Sequence, residues 1–95
     1  MVTHMWTLTV MEDSNDRMDV RCVGAFASMT DAEEVVLSNH FDIHEGNYDL
    51  AVIEHIGFGL YPEVLEDKWY RWVGGGYIEC EKPEKFSYAT NFGIG

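Results

Sequence analysis

The first pattern in the chain has period two. From Met5 to Met11 the large apolar residues Trp6, Leu8 and Val10 alternate with Thr7 and Thr9, which predicts a strand with one face buried and the other in water. A polar run from Glu12 to Arg17 interrupts the alternation. Met18 to Ala27 then restores it, with Met18, Val20, Cys22 and Phe26 on one face, so the two runs predict a β-hairpin. Gly24, inside the second run, marks a bulge or a close backbone approach. From Ser28 to Asn39 the period changes to that of a helix. Thr30 is the predicted N-cap, Glu33 its capping-box partner, and Asp31, Glu33 and Glu34 all complement the positive end of the helix dipole. Ala32, Val35 and Val36 face inward, with Leu37 at the margin.

A connector rich in His, Asp and Gly leads to Tyr48-Asp49-Leu50-Ala51-Val52-Ile53-Glu54, apolar on both faces and therefore a central strand. Tyr48, Leu50 and Val52 are assigned to one face, Ala51 and Ile53 to the other. Gly57 to Pro62 reads as a tight irregular segment that can present Phe58 and Tyr61 at unusual angles. Lys68 to Val73 and Tyr77 to Glu81 flank Gly74-Gly75-Gly76 and predict a second hairpin; Lys82 to Phe86 suits a helical turn, and Asn91 to Gly95 is apolar enough to dock on the body. The order β-β-α-β-β-β predicts an α+β fold, a mainly antiparallel sheet with one principal helix packed on a face. Its 95 residues suit one globular domain, 1–95.

A hydrophobic fraction of 46% is enough for a packed core and argues against disorder. No apolar run approaches the ~20 residues that span a bilayer, and no signal-like segment opens the chain, so the expectation is a cytoplasmic protein. Cys22 and Cys80 are then expected to be free and buried. Charge changes the picture more than composition does. Between Cys22 and Asp67 there is no Lys or Arg, while ten of the seventeen acids fall there, so most of the net charge of -11 belongs to the middle of the chain. A field of one sign repels nucleic acid and attracts basic surfaces.

The runs Asp31-Ala32-Glu33-Glu34-Val35-Val36, Ala51-Val52-Ile53-Glu54, Gly59-Leu60-Tyr61-Pro62, Trp69-Tyr70-Arg71-Trp72 and Asn91-Phe92-Gly93-Ile94-Gly95 together resemble a group of small uncharacterised proteins of phages and mobile elements of Gram-positive bacteria. The resemblance spans most of the chain and implies no activity. It implies an accessory protein acting against a host system.

Catalytic and metal chemistry find little footing. His40 and His44 have the i, i+4 spacing of a ligand pair, but no Glu follows the first His and Gly46 follows at once, so no metal site is assigned. Glu54 is the carboxylate most exposed to an apolar surrounding, yet His55 beside it points to the opposite face of a strand. Neither cysteine has an activating His nearby, and the glycine triplet lacks the Lys and Ser/Thr of a phosphate loop. No cofactor is implied. In Trp69-Tyr70-Arg71-Trp72, Trp69 and Arg71 share one face and Tyr70 and Trp72 the other.

The expectation is a non-enzymatic, anti-CRISPR-like inhibitor that binds a basic host protein or nucleoprotein and no nucleic acid directly. Asp42, Glu45, Asp49, Glu63, Glu66 and Asp67 would act as phosphate surrogates, with Phe58, Tyr61, Trp69 and Trp72 as apolar anchors. The alternative is a sponge or sensor holding a nucleotide signal through Arg21, Lys68, Trp69 and Arg71. A small enzyme ranks third. Unpaired strand edges are compatible with a homodimer.

Overall fold

The computed structural model describes residues 4–12, 20–39, 48–57, 64–86 and 92. Five strands, β1 (His4–Met11), β2 (Val20–Phe26), β3 (Leu50–Gly57), β4 (Val64–Val73) and β5 (Gly76–Cys80), form one sheet in the order β2-β1-β3-β4-β5. Every neighbouring pair is antiparallel. One helix, α1 (Met29–Leu37), packs on a face, which is the α+β arrangement that the periodicity predicts. A short 3₁₀ turn covers Glu84–Phe86.

Because β2 and β3 both run antiparallel to β1, α1 carries the chain over β1 from one of its sides to the other. Its nine residues are too few to be stable alone, so the helix depends on that packing. Ala32 and Val36 are buried against Leu8, Val10, Ala51, Ile53, Tyr70 and Tyr77, with Trp6, Phe26, Met29, Val35, Tyr48 and Trp72 around them. Tyr48 precedes β3 and joins this helix-side cluster, not the face of Leu50 and Val52 to which alternation assigns it. Leu37 is 55% exposed and does not belong to the core.

The opposite face is also covered. Met11, Leu50, Val52, Trp69 and Phe86 form a second cluster against which Cys80 and Phe92 pack. Phe86 stacks on Trp69 with centroids 5.6 Å apart, and Phe92 meets both rings edge-on. β1 is therefore buried on both faces, and Thr7 and Thr9, which alternation assigns to solvent, lie inside. A polar residue on a strand reads as exposed only when nothing covers its face, and Phe86 and Phe92 pack on this one.

Local chemistry explains the remaining differences. The N-cap is Ser28, whose hydroxyl accepts from the Asp31 amide at 3.2 Å; Thr30 lies inside the first turn. Glu33 consequently makes no capping box and reaches across to β4. The β1–β2 register shifts between Leu8 and Thr9, opposite Gly24. A Cβ on Gly24 would sit 2.9 Å from the Phe26 ring, so this glycine serves both the bulge and the close approach. That shift also turns Phe26 toward the helix side, away from the face of Val20 and Cys22. In the β4–β5 hairpin, Val73 pairs with Gly76, leaving Gly74 and Gly75 at φ 61° and 93°, the angles of a type I′ turn.

Candidate functional site

The helix-side face of β4 carries Glu66, Lys68, Tyr70 and Trp72 in alternation, since Glu66 pairs with His55, Lys68 with Ile53 and Tyr70 with Ala51. Glu33 of α1 meets this row. Its Oε2 accepts from the Lys68 ammonium and, at 2.6 Å, from the buried Tyr70 hydroxyl. Glu79 of β5 lies 3.5 Å from the same ammonium. The hydrogen bond from Lys68, then that from Tyr70, holds the Glu33 carboxyl below the usual carboxylate range. The bond to Glu33 raises the Lys68 ammonium, and burial, followed by the hydrogen bond to the Glu33 carboxylate, raises the Tyr70 hydroxyl.

Further along the same face, toward the start of β1, four side chains cluster. His55 stacks flat on Trp6 with ring centroids 4.1 Å apart and 3° between planes. His4 Nδ1 lies 2.6 Å from His55 Nε2, and His55 Nδ1 lies 3.6 Å from Glu66 Oε1. Sequence reading missed this group. His4 and His55 are 51 residues apart, and only the β1–β3 register, His4 with Gly57 and Trp6 with His55, makes them diagonal neighbours.

The outer surface of α1 is acidic. Asp31 and Glu34 are exposed, stand one helical turn apart, and with Val35 and Ser38 line one shallow depression. Leu37, a further turn along, is exposed on the same side.

The residues singled out from sequence are dispersed. Asp42, Glu45, Phe58, Tyr61 and Glu63, like His40 and His44, lie outside the described residues. Asp49 is half-buried, and its backbone carbonyl accepts from the Trp72 amide at 2.8 Å. Glu66 and Asp67 are both exposed but point to opposite faces, Glu66 toward His55 and Asp67 to within 3.8 Å of the Lys82 ammonium. Trp69, expected as a partner anchor, is 2% exposed and belongs to the core, because the 3₁₀ turn folds Phe86 over it. Trp72 is half-buried and meets Tyr77 edge-on at 5.0 Å.

The nucleotide set does not converge either. Lys68 faces α1 while Trp69 and Arg71 face the other way, and Arg21 on β2 stands three strand spacings, about 14 Å, from β4. Cys22 and Cys80 are free thiols as expected, but Cys22 is exposed and Cys80 half-buried, where both were expected inside. Cys22 sits on β2, an edge strand whose outward face nothing described covers. Burial pushes the Cys80 thiol up, away from reactivity. Among the described residues no helix is long and apolar enough to cross a membrane.

A scan against protein-family models and searches of curated proteins and of solved structures find no match to this chain.

Proposed function

We propose that the chain is a non-enzymatic acidic binding protein, an accessory of a phage or mobile element that occupies a basic, nucleic-acid-handling surface of a host defence protein in the cytoplasm. One observation carries this reading. Among the described residues Lys68, which faces α1, is already engaged by Glu33 and Glu79, and no cation lies within ion-pair distance of Asp31 or Glu34. The stripe Asp31, Glu34, Leu37 thus offers two carboxylates and an apolar contact on one rigid element. Carboxylates spaced along a helix can replace the phosphates that a basic groove is built to hold, and such charges set on-rate and salt sensitivity. The anchors of this reading shift accordingly, from Trp69 to Leu37 and to Leu65, which is 58% exposed beside Glu66.

The test is a pull-down from host lysate at low salt with elution along a salt gradient, followed by affinity measurements on the purified partner. A basic nuclease or guide complex whose affinity falls at least tenfold from 50 to 500 mM salt supports the reading. A flat salt response overturns it.

A further inference from the structure

His4, Trp6 and His55, which that reading does not use, cluster on neighbouring strands beside Glu66. Two imidazole nitrogens from neighbouring strands, His4 Nδ1 and His55 Nε2, face each other 2.6 Å apart in a hydrogen-bond contact. In the metal-free protein one of them donates to the other. The Glu66 carboxylate, 3.6 Å from His55 Nδ1, is too distant for a hydrogen bond but favours a proton on that nitrogen, which leaves the Nε2 lone pair facing His4. The Trp6 ring lies parallel beneath His55 and fixes its plane. His4 is exposed at the first position of β1, so its ring can turn without disturbing the core.

We propose that His4 and His55 form a two-imidazole site for a divalent transition-metal ion, copper(II), nickel(II) or zinc(II), with Glu66 as the outer carboxylate facing the far nitrogen of His55. Metal–nitrogen bonds of about 2.0–2.1 Å at tetrahedral or square angles require nitrogens about 2.9–3.3 Å apart, so the pair has to open by about half an ångström. A small swing of the exposed His4 supplies that. Among the described residues no group of three His, Cys, Asp or Glu side chains is arranged around an ion, so water completes the coordination sphere. Imidazole donors suit copper, nickel and zinc and not magnesium or calcium, and copper is expected to bind tightest. A carboxylate on the distal nitrogen of a metal-bound His is the usual outer partner, and its loss commonly costs 10- to 100-fold in affinity.

The experiment is calorimetric titration of the full chain with copper(II), nickel(II) and zinc(II) at pH 7.5, with circular dichroism of every variant. One equivalent is expected, copper tightest and magnesium silent. His4→Ala, which removes an exposed ring, should weaken binding at least tenfold while the melting temperature without metal stays the same. Glu66→Gln should weaken it about tenfold. The double variant His40→Ala, His44→Ala should bind like the parent. Unchanged binding in His4→Ala, or loss in the His40, His44 double variant, would overturn the proposal. His55→Ala can disturb the Trp6 stack, so the exposed His4 carries the decision.

Discussion

The Lys68 ammonium stands between two carboxylates, Glu33 from the helix and Glu79 from β5, and Glu33 in turn serves the buried Tyr70 hydroxyl. Because the Glu33 carboxyl titrates below its ordinary range when folded, its contribution is present above the unfolded value near pH 4.3 and is lost as pH falls through the lowered folded value. Lys68 behaves in the opposite sense: its contribution is present below about pH 10.4 and is lost as pH rises through its raised folded value. Glu33→Gln should therefore cost about 1 kcal/mol at pH 7, and the gap from the parent should narrow at a pH well below the ordinary glutamate range in urea unfolding. An equal gap at both pH values would show that the carboxylate charge is not what Glu33 contributes. Thr9 makes the contrasting case. It is fully buried and among the described residues its hydroxyl has no hydrogen-bond partner, so Thr9→Val, equal in shape, should raise stability by about 1 kcal/mol, read as a higher urea midpoint.

At the level of elements, turns and caps are set by single residues. Gly74 and Gly75 occupy the two φ-positive positions of the β4–β5 turn. Asn is at home at the first of these, so Gly74→Asn should leave stability within about 0.5 kcal/mol of the parent. A β-branched side chain at φ 93° is strained, and Gly75→Val should cost about 1–2 kcal/mol by thermal unfolding. Ser28→Ala removes the side-chain N-cap of α1 and should lower stability by about 1 kcal/mol. Thr30→Ala, inside the first turn, should cost less than half as much. The reverse order would restore Thr30 as the cap.

For the whole molecule, the distribution of charge is the property that reaches outward. Asp31→Lys with Glu34→Lys reverses the helix stripe without touching a buried residue, so its fold should survive while affinity for a basic partner falls at least tenfold. Lys82→Ala, on the opposite side beside Asp67, should leave that affinity unchanged. Equal losses in the two variants would mean that bulk charge, and not this stripe, attracts the partner.

Which segments become strands and helix was legible in the sequence, because that information is local: alternation from Trp6 to Val10, the double-sided apolar run of β3, the glycine hairpin after Val73, and the change of period near Ser28. The order of the sheet and the covering of its second face were not. They depend on pairings between residues far apart, such as Trp6 with His55, and on the docking of Phe86 and Phe92 over Trp69. For that reason Thr7, Thr9 and Trp69 were misplaced. The candidate sites divide the same way. The excess of acids was visible as composition, but engagement of Glu33 by Lys68, and of His4 by His55, exists only once α1 lies on β4 and β1 lies beside β3. Sequence by itself determined the elements and the sign of the field; tertiary structure decided which charges remain exposed and which rings meet, since both depend on distance in space and not along the chain.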